Sequence, residues 1–209
     1  MIIETIVTTV SQRGTVNIAP MGPVVDPQLE TFTLRPYEGS TTFANLRSGS
    51  SVTVNIVDDC FLLVAAAIGK VTIDEYPVEP IVLPAAQQGI HASSVAADGR
   101  LSDPSATYYP LRSACHWYAL QPGEMTGEAP RFELPCTVLS RKQQRPFLGW
   151  NRASHAILEI AIMATRIHLT GVQPVIEEMN RLQTAVQKTA GPRQQSAWQL
   201  LAEYVNERP

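Results

Sequence analysis

The sequence predicts an α+β protein that is mainly β, with a strand-rich body to about residue 145 and a three-helix tail. Three features carry that expectation. Runs of β-branched residues such as Ile2–Val10, and alternating runs such as Ser51–Val57, recur through the first two-thirds of the chain. The 16 prolines imply many turns and extended connections. After Trp150 the apolar residues fall three and four apart, the spacing of a helix that buries one face. A chain of 209 residues, 44% hydrophobic, has room for one large domain or a domain with an appended subdomain. We expect a body over residues 1–145 and a helical subdomain over residues 146–209.

Ile2–Val10 opens as a strand partly buried on both faces. Ser11–Gly14 is a turn, since Gly14 tolerates positive φ, and Val16–Ala19 returns as the second arm of a hairpin. Pro20, Gly22 and Pro23 interrupt the ladder, so this strand bulges or lies at an edge. Val24–Val25, a turn at Asp26–Pro27 and Thr31–Leu34 continue the meander, followed by a short helix near Thr41–Ser48 and the strand Ser51–Val57. Asp58 and Asp59 start a second helix, Cys60–Ile68, which is apolar all round and needs cover on most sides; a subunit partner could supply it. Lys70–Tyr109 reads as loops with room for one short helix. Arg112–Leu120 and Arg131–Ser140 read as strands around the turn-prone Gln121–Pro130. In the tail, helices span Asn151–Leu169, start at Pro174, and span Gln194–Asn206, with breaks at Gly171 and Gly191-Pro192.

The chemistry-bearing stretch is Arg35–Gly49. Pro36 fixes its own φ and Gly39 permits a sharp bend. Ser40 or Thr41 is a good N-cap, Phe43 and Leu46 share a face, and Gly49 stops the helix. Free N–H groups at the helix start, the hydroxyls of Ser40, Thr41 and Thr42, and the forked cation of Arg35 together suit a terminal phosphate monoester. The plain alternative is an ordinary capped helix after a turn.

A net charge of −3 gives no global attraction to nucleic acid or anionic membrane, and we expect neither as a partner. The apolar runs are too short to span a bilayer, and no basic start precedes them. Cys60, Cys115 and Cys136 are odd in number and widely spaced, which favours reduced, buried thiols in a cytoplasmic protein. His91, His116, His155 and His168 are dispersed, so no metal site is expected. Arg152 could reach the anion site or pair with Glu159. Arg166, deep in the apolar Asn151–Leu169 helix, calls for a partner such as Glu159 or Glu177. No catalytic residue stands out.

Asn17-Ile18-Ala19-Pro20-Met21-Gly22, then Arg35 through Leu46, then Val52-Thr53-Val54-Asn55-Ile56 follow one another in an order that resembles the FMN-binding split β-barrel superfamily. That group contains flavin reductases and pyridoxamine-phosphate-oxidase-like proteins. With Asn151-Arg152 opening a helical tail, the chain is similar to an uncharacterised branch of it. The resemblance implies a split β-barrel with a C-terminal three-helix subdomain and a homodimer holding FMN in a groove between subunits. The implied function is a flavin-dependent oxidoreductase acting on a small molecule or a nicotinamide cofactor. A non-catalytic protein that binds flavin or a deazaflavin is the alternative. FMN's phosphate would meet Ser40, Thr41, Thr42 and Arg35, and its ring would lie along Asn17, Ala19, Pro20 and Met21. Asn45 would brace the phosphate loop or touch the ribityl chain. The helical tail, which ordinary flavin reductases lack, would cap the flavin or shape a substrate pocket.

Overall fold

The computed structural model describes residues 1–83 and 106–208. It divides into two compact units, Met1–Ile56 with Ile73–Pro146, and Val57–Thr72 with Phe147–Pro209. The expectation for Lys70–Tyr109 falls partly on residues 84–105, outside the described residues, as does His91.

The first unit holds strands β1 (Thr5–Val10), β2 (Val16–Met21), β3 (Val24–Val25), β4 (Thr31–Leu34) and β5 (Val52–Ile56), with helix α1 (Thr41–Arg47) between β4 and β5. After these come β6 (Ile81–Leu83), β7 (Ala106–Tyr108), β8 (His116–Pro122), β9 (Thr126–Glu128) and β10 (Arg131–Gln143). Eight strands form one antiparallel sheet in the order β2-β1-β5-β8-β10-β4-β3, with β9 on β10, and β6 and β7 pair separately. The sheet curls into a half-barrel. The residues before β1 bridge to β3 at the opposite end of that order: Val25 N–H donates to Met1 O at 2.8 Å and Ile3 N–H to Pro23 O at 3.3 Å. β2 is left as a split-off arm with no strand on its outer side among the described residues. Val7, Phe32, Leu34, Val52, Val54 and Leu120 fill the interior.

Three sequence expectations shift. β2 runs through Pro20, which sits opposite Ile6, and ends only before Gly22. An edge strand tolerates this because proline's missing donor faces outward there. The strand expected from Arg112 begins at His116. Arg112–Cys115 is instead a turn, held by Arg112 N–H on Pro77 O and Ala114 N–H on Leu111 O. The turn-prone Gln121–Pro130 contains β9, which pairs back onto β10.

The second unit contains α2 (Cys60–Ala67), α3 (Arg152–Ala164), α4 (Ile167–Thr170), α5 (Gln173–Thr189) and α6 (Pro192–Asn206). Its core joins Cys60 and Val64 of α2 to Ala153, Ile157, Val175 and Leu201 of the later helices. The division at residues 145 and 146 therefore differs from these units in one segment: Val57–Thr72 groups with the tail. Its first turn is fastened there. Asp59 caps α2 by accepting from Phe61 N–H, and Arg193 grips the same carboxylate at 2.9 Å while stacking over the Phe61 ring at 4.2 Å. The Asn151–Leu169 helix breaks at Thr165–Arg166, so Arg166 is exposed at the start of α4. Its exposure removes the need for the ion pair expected of it, since water solvates the guanidinium.

Candidate functional site

The Arg35–Thr42 turn is pinned to the sheet by its backbone. Glu38 N–H donates to Pro130 O at 2.9 Å and Phe132 N–H to Pro36 O at 3.4 Å. Gly39 takes φ +83°, and a Cβ built there would meet nothing within 4 Å, so the space before the turn is open. Ser40 is the N-cap, its Oγ accepting from Phe43 N–H at 3.1 Å. A helix of seven residues has a weak dipole, so the anion-binding capacity rests on individual donors. Thr41 and Thr42 occupy the first turn, where N–H groups have no intrahelical acceptor. Thr41 is exposed and Ser40 half-buried, which leaves both hydroxyls reachable.

Thr42 is buried, 3% exposed, and its Oγ1 accepts from Asn17 Nδ2 at 3.1 Å. A hydroxyl that accepts one bond keeps its proton to donate. Asn17 also lies 3.5 Å from Thr9 Oγ1, and Asn45 Nδ2 donates to that same oxygen at 3.0 Å. Thr9 therefore ties β1, β2 and α1 together. The sequence reasoning missed it; the signal was a third threonine in a strand otherwise filled with Ile and Val, where a buried hydroxyl needs partners.

Along β2 the proline supplies a phase. Pro20 fits opposite Ile6 only with its nitrogen turned away from β1, and alternation then turns the Ile18 N–H and C=O to the open edge as well. Ala19 and Met21 pack their side chains against the barrel core. Met21 O accepts from Thr5 Oγ1 at 2.8 Å. Arg35 is exposed and donates to Gly22 O at 3.3 Å, at the end of β2.

The structure thus joins Asn17, Thr42 and Asn45 through Thr9, sets Ser40 and Thr41 at the same helix start, and holds Arg35 to the β2 terminus. Arg152 belongs to the helical unit, where it lines a pocket of about 250 Å³ with His155 and Glu159. The larger cavity of the first unit, about 660 Å³, is lined by none of the predicted residues. The donor set of hydroxyls, first-turn N–H groups and one guanidinium fits an oxyanion with several acceptor oxygens, reached from the open side of the turn.

Cys60, Cys115 and Cys136 are free and buried. Burial pushes the Cys136 thiol up to about 12 and is the main cause raising Cys60 to about 11, which makes both poor nucleophiles. Among the described residues no cluster of three or more His, Cys, Asp or Glu could hold a metal ion, and no helix is long and apolar enough to cross a membrane.

Residues 3–145 match the family model described as the N-terminal domain of a protein of unknown function (DUF447), and residues 151–203 match the accompanying DUF447 model. The chain belongs to the DUF447 family. A crystal structure of an FMN-bound DUF447 protein from Methanosarcina mazei superposes with a TM-score of 0.74 at 20% identity, covering 97% of this chain and 94% of that one. This DUF447 chain therefore has the same fold over nearly its whole length. Weaker similarity extends to nitrilotriacetate monooxygenase component B from Mycobacterium thermoresistibile (TM-score 0.46, 13% identity, 67% and 68% of the two chains). An FMN-binding protein from Thermus thermophilus aligns comparably (TM-score 0.46, 11% identity, 68% and 70%). Among curated proteins none matches.

Proposed function

We propose that this DUF447 protein binds FMN at the start of α1 and along the open edge of β2, and that it serves as a flavin-dependent oxidoreductase. The observation that carries the reading is the whole-length likeness to an FMN-bound member of the same family, taken with the hydroxyl and N–H donors at the start of α1. Thr41 and Thr42 offer N–H and O–H donors to the phosphate, Ser40 a further hydroxyl, and Arg35 a permanent cation. The Asn17–Thr42 bond fixes the buried hydroxyl so that its orientation costs little when an anion arrives. Outward backbone groups at Ile18 and Pro20 provide one donor and two acceptors for the amide edge of a flat ring. FMN, when bound, supplies two-electron chemistry, which is consistent with the lack of an acid or base pair among these residues.

The working assembly in this reading is a cytoplasmic homodimer with FMN at the subunit interface and a small molecule or nicotinamide cofactor as the second substrate. Its support is the outer side of β2, unpaired among the described residues, and the exposure of two large apolar side chains, Leu148 at 87% and Trp150 at 86%.

The test is to purify the full chain, record its visible spectrum, and identify any released cofactor by mass spectrometry. FMN is expected. A colourless protein that fails to take up added FMN overturns the reading, and a deazaflavin replaces the cofactor while keeping the site. FMN that is never reduced by nicotinamide cofactors, with a panel of small-molecule acceptors also inert, removes the oxidoreductase claim and leaves a flavin-binding protein.

A further inference from the structure

The cavity of about 660 Å³ in the first unit has the size of a small-molecule site, and no residue assigned above to the cofactor lines it. Phe43 and Leu46 of α1, Phe132 and Leu134 of β10, and Tyr108 and Met125 line it. The Phe43 and Phe132 rings meet at 4.8 Å between centroids, which fixes an aromatic floor.

The polar groups of the lining are unequal. Ser50 Oγ accepts from Val10 N–H at 2.8 Å and donates to Ser51 O at 2.6 Å, while Ser51 Oγ donates to Thr107 O. These hydroxyls are spent on the fold. Arg47 is the one charged residue in the lining. Its guanidinium sits 5.6 Å from the Phe43 ring centroid, and among the described residues it forms no ion pair. Burial pushes the Tyr108 phenol up, so it stays a neutral hydroxyl. One forked cation beside an apolar enclosure matches one planar anion on an apolar body, because a guanidinium takes a carboxylate through two parallel bonds.

We propose that this cavity binds a small carboxylate with an aromatic or aliphatic body, its carboxylate on Arg47 and its body against Phe43, Phe132 and Leu134. A phosphate dianion suits it less, since a single cation leaves most of its oxygens unpaired. The site is separate from the FMN reading and stands without it.

The probes are naphthylacetate and its neutral counterpart naphthylethanol, titrated calorimetrically into the full chain, into Arg47→Gln and into Met125→Trp. Both probes are expected to bind saturably, the acid about tenfold tighter, since a bond to a charged group is worth roughly that factor. Arg47→Gln should erase the preference for the acid while leaving the alcohol and added FMN bound as before. Met125→Trp, which narrows the cavity, should weaken both probes, with the far-ultraviolet spectrum confirming a folded chain. Absence of saturable binding by the acid, equal affinity for acid and alcohol, or an Arg47→Gln protein that keeps the acid preference overturns the proposal. If Met125→Trp does not fold, the Arg47→Gln result decides.

Discussion

Replacing Thr42 by Val separates the structural from the ligand-binding part of the α1 start. Valine has nearly the shape of threonine and a similar helix propensity, so neither a cavity nor a weaker helix confuses the comparison. The change removes the acceptor for Asn17 Nδ2, leaving that group, among the described residues, its 3.5 Å contact with Thr9 Oγ1. A neutral hydrogen bond contributes about 1 kcal/mol, and half-buried Asn17 can regain part of it from water, so we expect a loss of about 1 kcal/mol. For a chain of this length that is roughly 2–4 °C in Tm. The same change removes one donor to the phosphate, worth about 1.5–3 kcal/mol, or roughly 10- to 150-fold in the Kd for FMN. Thr41→Val is the control. Thr41 is exposed and makes no side-chain bond among the described residues, so its Tm should stay within about 1 °C while FMN affinity falls by a similar factor. Quenching of FMN fluorescence by the stripped protein gives the Kd, and scanning calorimetry gives the Tm. Both variants binding FMN within twofold of the natural chain would refute the assignment of these hydroxyls to the phosphate.

Other expectations concern fold, pH and assembly. Asn151 caps α3 by accepting from Ser154 N–H at 3.0 Å and also donates to Thr189 O at 3.0 Å. Asn151→Ala should therefore cost about 2 kcal/mol in urea denaturation, and a loss under about 0.5 kcal/mol would contradict this double role. The Cys60 and Cys136 thiols are raised from 9.0 to about 11 and about 12, so the folded state holds their protons more tightly than the unfolded chain does. Their contribution is fully present below pH 9 and is lost as pH rises through about 11 to 12. A C60A/C136A double variant, measured against its own value at pH 8, should lose less stability by pH 11; an identical decline would show that other groups govern the alkaline limit. For the proposed homodimer, Leu148→Ser with Trp150→Ser should shift light-scattering mass toward the monomer, and an unchanged mass would remove these side chains from the interface.

Much of the architecture was legible in the residues because it depends on local periodicity. β-branched runs gave the strands, Ser40 and Asn151 marked helix starts, and Gly39 and Gly49 marked bends. Boundaries slipped where long-range bonds compete with propensity. Arg112–Cys115 has strand-like composition, but its N–H groups find nearer acceptors at Pro77 and Leu111. The apolar helix Cys60–Ala67 announced that it must be covered, and nothing in its own residues could say by what.

The sequence by itself determined the order of the longer strands and helices, the clustering of hydroxyls before one helix, and the shortage of metal-ligand or nucleophile patterns, because these are matters of spacing along the chain. Tertiary structure alone decided that Thr9 links Asn17 to Asn45, that Arg193 clasps Asp59, and that Arg47 stands beside an apolar cavity. Each of those depends on residues tens to more than a hundred positions apart being brought together. Propensity and periodicity act over a few residues, whereas burial and polar satisfaction are settled only when the whole sheet has curled and the helices have packed.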